Sequence, residues 1–125
     1  RSTLFPYTTL FRSGRRKIIL QIPAKPEYAS VLRLTTAAVA SQINASIEDI
    51  EDLRVAVSEA LNKFLLCDFV TINMTIESSR IEVQMLVNQS VAMDKKDMGA
   101  LILSSLMDEV SMEEKSIVLV KKLKD

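Results

Sequence analysis

The sequence predicts an α+β fold, a two-layer sandwich of order β-α-α-β-β-α-β with a mixed, mostly antiparallel sheet and its helices on one face. Three observations lead there. Two adjacent stretches between residues 27 and 66 repeat their apolar residues every three or four positions, and the stretch that follows alternates apolar with polar residues. The composition, 48% hydrophobic and 26% charged, is that of a chain that buries a core. A length of 125 residues gives room for one such domain and not for two.

Arg16 to Ile22 is a short run rich in Ile and Leu that stops at Pro23 and Pro26, as a strand does before a loop. Residues 27 to 44 place Val31, Leu34 and Ala38 along one face, widened by Leu32, Val39 and Ile43, which predicts an amphipathic helix ended by Asn44. Ser46 followed by Asp49 resembles a capping box, and Ile50, Leu53, Val57, Leu61 and Phe64 recur at helical spacing, so a second helix is expected over 46–66. Past Asp68 the period becomes 2: Val70, Ile72, Met74 and Ile76 alternate with Thr71, Asn73, Thr75 and Glu77. Ile81, Val83, Met85 and Val87 repeat the pattern after Ser78 and Ser79, which predicts an antiparallel hairpin. A third helix is expected from Met98 to Asp108 on the apolar positions Met98, Ile102, Leu103 and Leu106. Ile117 to Val120 then forms a last strand before Lys121, Lys122 and Lys124.

The first residues stand apart. Thr3 to Ser13, TLFPYTTLFRS, resembles the translation of a widely used sequencing adapter, so residues 1–13 are set aside as non-native and the domain is placed at 14–125. Setting them aside removes Arg1 and Arg12 and leaves the remainder slightly acidic.

Composition also excludes function classes. With 16 basic against 16 acidic side chains the chain lacks the electrostatic footprint of a nucleic-acid binder, and no apolar run is long enough to span a membrane. Without histidine, Ser-His and Cys-His catalysis are unavailable to it, and a metal site would rest on carboxylates. The lone Cys67 lies among Leu65, Leu66 and Phe69, which reads as a buried thiol in a reducing compartment and points to the cytoplasm. The methionines at 74, 85, 93, 98, 107 and 112 fall mostly on apolar positions and read as core.

Residues 31–61, VLRLTTAAVASQINASIEDIEDLRVAVSEAL, resemble the first two helices of the serine-kinase-type anti-sigma factors. Residues 98–112, MGALILSSLMDEVSM, resemble their last helix and the turn beyond it. With the hairpin between them the resemblance spans essentially all of 16–124. It implies the histidine-kinase-like ATPase fold and a site for Mg-ATP between helices and sheet. It also implies the partners of that family, a sigma factor and a small antagonist protein phosphorylated on serine.

Site residues follow from the same resemblance. Glu59, in VSEAL, stands where the family has its general base. The magnesium-ligating asparagine four residues on is Lys63 here, an ammonium that repels a cation, and Asn62, one residue earlier, is the available substitute for holding Mg. The adenine-binding box, D-x-G-x-G in the family, reads Asn88, Ser90 and Ala92 at its diagnostic positions. An amide accepts more weakly than a carboxylate, and two added Cβ atoms narrow the space. The phosphate-binding G-x-G is Asp97-Met98-Gly99: Gly99 survives, while Asp97 sets negative charge where a helix N-terminus would meet phosphate. Only Met93 to Lys96 separates the two boxes, too short for the family's lid over ATP.

Two functions are compatible with this pattern. One is a regulatory protein that controls transcription by binding a sigma factor, its antagonist, or both, with ATP binding weak or lost. Such a protein could act as a homodimer or as a heterodimer with an intact kinase. Arg33 matches a family arginine used in partner contact, and an ordinary solvated arginine is the competing reading. The other function is an active ATP-dependent serine kinase using Glu59 as base and Asn62 and Asn88 as substitute ligands. Without the resemblance, Glu59 would read equally as a solvated residue on a helix surface.

Overall fold

Alternation between Val70 and Val87 builds the centre of the sheet. In the computed structural model, which describes residues 16–77 and 79–123, five strands form: β1 (Arg16–Pro23), β2 (Phe69–Glu77), β3 (Arg80–Leu86), β4 (Glu109–Glu113) and β5 (Ser116–Lys122). The segment read as adapter-derived lies outside the described residues. The strand order is β1-β2-β3-β5-β4, and every neighbouring pair is antiparallel. Here the sheet differs from expectation twice, being antiparallel throughout instead of mixed and carrying β4 as an additional edge. Lys121 and Lys122, expected in a tail, belong to β5.

Register carries one apolar row across the layer, half-buried at Leu20 and buried beyond it: Leu20 pairs with Ile72, Ile72 with Met85, Met85 with Ile117, and Ile117 with Met112. The opposite face bears Thr71, Asn73, Thr75, Glu82 and Gln84, all half-buried. Period 2 therefore sorts the hairpin into a core face and a polar face, as the sequence predicts.

Three helices cover the core face: α1 (Ala29–Gln42), led in by a 3-10 turn at Pro26–Tyr28, α2 (Ile47–Asn62) and α3 (Met98–Leu106). Ser46 caps α2 by accepting the Asp49 amide at 3.0 Å, and Glu48 and Asp49 place negative charge in its first turn. Leu53, Val57, Leu61 and Phe64 are fully buried as expected, although the helix ends at Asn62 and Phe64 sits in the turn beyond it.

The phase of α1 differs from expectation. Its buried residues are Leu32, Thr36, Val39 and Ala40, whereas Val31, Leu34 and Ala38 face outward. Thr36 can enter the core because its hydroxyl donates to the Leu32 carbonyl at 2.7 Å, which leaves no bare polar group inside. The end of α1 is sharp. Asn44 has φ 59°, a left-handed conformation that asparagine tolerates, and the amides of Asn44 and Ala45 return to the carbonyls of Ser41 and Ala40.

In α3, Leu103 and Ala100 are buried and Ile102 and Leu106 are half-buried, but Met98, expected on the apolar face, is 71% exposed. Cys67 is buried as expected, and burial, reinforced by the Asp68 carboxylate, pushes its thiol pKa up. No helix among the described residues is long and apolar enough to cross a membrane.

Candidate functional site

The end of α2, the start of α3 and the irregular segment between β3 and α3 enclose a cavity of about 290 Å³, at the lower edge of the ~300–1,000 Å³ usual for small-molecule sites. Glu59, Asn62 and Lys63 line it from α2, Asp97 and Gly99 from α3, and Ala92 and Asp94 from the intervening segment. That segment is tied down along its length. The Val87 amide donates to the Lys115 carbonyl at 3.0 Å, the Val91 amide to the Glu114 carbonyl at 2.9 Å, and Gln89 accepts the Asp68 amide at 3.1 Å.

Of the residues singled out in the sequence, Glu59, Asn62, Ala92 and Gly99 meet in this cleft. Asn88 lies in a separate shallow depression with Asp68, Phe69 and Gln89, and Ser90 is exposed between the two. Arg33 is half-buried on α1, and its guanidinium donates to the Ser58 hydroxyl at 3.0 Å. It thereby links α1 to the residue next to Glu59.

Helix α3 approaches α2 closely at one point. A Cβ added to Gly99 would stand 3.3 Å from Glu59 Oε1, so glycine here allows the approach. Around that contact the charges are arranged in pairs. Lys63 Nζ lies 2.8 Å from Asp97 Oδ1 and 2.7 Å from Oδ2, and it also donates to the Asp94 carbonyl at 3.3 Å. Asp97 is at the same time the N-cap of α3, its Oδ1 accepting the Ala100 amide at 2.8 Å. The Lys63 hydrogen bond first, and the Ala100 amide second, hold the Asp97 carboxyl below the usual carboxylate range.

Sequence reasoning treated Lys63 and Asp97 separately, each as a charge hostile to a ligand. Their contact spans 34 positions of sequence, and no local signal announces it. Asp94 was not singled out at all. Its side chain accepts the Lys96 amide at 2.8 Å, a turn that an Asp-x-Lys sequence permits without demanding.

The chain is 31% identical over 119 residues to serine-protein kinase RsbW of Bacillus velezensis, a match covering 86% of this chain and 74% of that relative. This chain belongs to the RsbW serine-protein kinase family. RsbW of Listeria monocytogenes serotype 4a is 41% identical over 75 residues, covering 54% of this chain and 48% of the relative, so the match spans about half the length of that relative. The solved RsbU and RsbW domains of a Mycobacterium tuberculosis protein superpose with TM-score 0.70 at 14% identity, over 86% of this chain and 32% of that one. The fold is the histidine-kinase-like ATPase fold that the sequence resemblance implied. No protein-family profile matches the chain.

Mg-ATP is the ligand this fold family implies, and two side chains in the cleft, Lys63 and Asp97, are ill matched to it. Lys63, which the sequence resemblance aligns with a metal-ligating asparagine, presents an ammonium that offers no lone pair. Where a phosphate would meet the α3 N-terminus, the Ala100 amide is already bonded to Asp97.

Proposed function

We propose that this chain is a regulatory binding domain of the anti-sigma type. It controls transcription by engaging a sigma factor, its antagonist protein, or both, with ATP binding weak or lost and without phosphoryl transfer. One observation carries this reading: the 2.7 Å ion pair between Lys63 and Asp97 across the cleft in which the family's chemistry would take place. Family membership supplies the class of partner, and the paired charges supply the reason that turnover is not part of the role. The proposed role is exercised beside the transcription machinery, so the proposal carries a cytoplasmic location with it. Arg33 is proposed as a partner contact on α1, with its hydrogen bond to Ser58 fixing its direction.

Co-purification with the sigma factors and antagonist proteins of its source, with and without Mg-ATP, tests the reading. Stable capture of one of them in both conditions is expected, reduced by Arg33→Ala. No capture under either condition would sink it. A second reading is an active ATP-dependent serine kinase, favoured by the presence of Glu59, Asn62 and Gly99 in one cleft. Calorimetric titration with Mg-ATP separates the two: millimolar-range or tighter binding, together with antagonist phosphorylation abolished by Glu59→Gln, would establish the kinase instead.

A further inference from the structure

The N-terminus of a helix offers unpaired amides to an anion, and an ammonium beside it would strengthen the attraction. Both are present at the start of α3, and both are already engaged by the same carboxylate. Asp97 Oδ1 accepts from the Ala100 amide at 2.8 Å and from Lys63 Nζ at 2.8 Å, while Oδ2 accepts from Lys63 at 2.7 Å. Lys63 is held in place from its other side by the Asp94 carbonyl at 3.3 Å, and its side chain is only 10% exposed.

We propose that Asp97 and Lys63 are a built-in occupant of the anion end of this cleft. The Asp97 carboxylate takes the place of a phosphate group on the α3 N-terminus, and the Lys63 ammonium takes the place of its counter-cation. The proposal rests on the regulatory reading above and says what keeps the cleft closed to nucleotide.

The geometry has a direct corollary. With the Asp97 charge removed, the Ala100 amide and the Lys63 ammonium converge on one space beside Gly99, where the absence of a Cβ keeps the approach open. That is a polyphosphate site requiring no metal, since the cation is part of the chain. Glu59 and Asp94 also line the cleft, and their charges are the same in every variant, so comparison among variants isolates Asp97.

The test is calorimetric titration of the full chain with inorganic tripolyphosphate, in low salt with a chelator present. Asp97→Gly removes the carboxylate and leaves the Ala100 amide free, at little cost to α3 because glycine is tolerated at an N-cap. Asp97→Ala serves the same purpose should the glycine variant fold poorly. Either is expected to bind tripolyphosphate about tenfold or more tightly than the unaltered chain, the scale of a charge-assisted contact at a half-exposed site. Adding Lys63→Met to the Asp97 variant is expected to abolish the gain. Equal binding by the unaltered chain and the Asp97 variants, no binding by any of them, or a gain that survives Lys63→Met would each overturn the proposal. Antagonist phosphorylation by the unaltered chain would remove the regulatory reading together with the closed cleft, whereas failure of the titration alone would leave that reading standing.

Discussion

Lys121 of β5 donates to Asp52 of α2 at 3.0 Å and to the Leu106 carbonyl at the end of α3 at 2.8 Å, so one ammonium joins the sheet to two helices. The fully buried Asp49 carboxylate lies 3.9 Å from the same nitrogen. Removing the cation leaves two acids of α2 and a helix-end carbonyl without it. Lys121→Met is therefore expected to destabilise the fold by about 3–5 kcal/mol in urea unfolding, the range for breaking a buried ion pair by removing one partner. A loss no greater than that of a surface lysine would contradict this arrangement.

The two leucines of α1 should behave differently although the sequence pattern treats them alike. Leu32 is fully buried and Leu34 is 66% exposed. Leu32→Ala should cost about 2–5 kcal/mol through lost burial and cavity formation. Leu34→Ala should stay within about 0.5 kcal/mol of the unaltered chain. Thermal melts of both variants check the phase of the helix.

Ser46 is the N-cap of α2 through its bond from the Asp49 amide. Ser46→Ala should cost about 1 kcal/mol, and Ser46→Asn should restore most of it because asparagine caps equally well. Equal losses in both variants would show that the cap contributes little to stability.

Asp97 and Cys67 contribute to stability at opposite ends of the pH range. Asp97 has a folded pKa below its ordinary value of 3.8, so its contribution is present above that pH and is lost as the pH falls below it. Cys67 has a folded pKa above its ordinary value of 9.0, so its contribution is complete below that pH and is lost as the pH rises through the higher folded value. Denaturation followed against pH should accordingly lose part of its acid slope in Asp97→Asn and part of its alkaline slope in Cys67→Ser. Unchanged slopes would contradict the assignments.

Much of the fold is legible in the sequence where one physical rule acts alone. The β2–β3 hairpin follows from strict alternation, and α2 follows from its cap and from the spacing of Leu53, Val57 and Leu61. The phase of α1 is not legible, because Thr36 satisfies its own hydroxyl and takes an inward position that hydrophobicity assigns to Val31 or Leu34. Strand β4 is not legible either. Its sequence, EVSME, has two apolar residues, and as an edge strand it needs no more. In the site, the convergence of Glu59, Asn62, Ala92 and Gly99 could be read by resemblance. The mutual neutralisation of Lys63 and Asp97 could not, since long-range pairing leaves no trace in local spacing.

The order of strands also sets the order of assembly. Glu77 pairs with Arg80 and Glu113 with Ser116 across two residues each, whereas Pro23 pairs with Phe69 only after α1 and α2 have been traversed. Closing a short loop costs less chain entropy than closing a long one, so the two hairpins can zip locally while β1 must wait for the helices. The β1 margin, from Arg16 to Pro23, is thus the edge whose pairing closes the longest loop in the sheet.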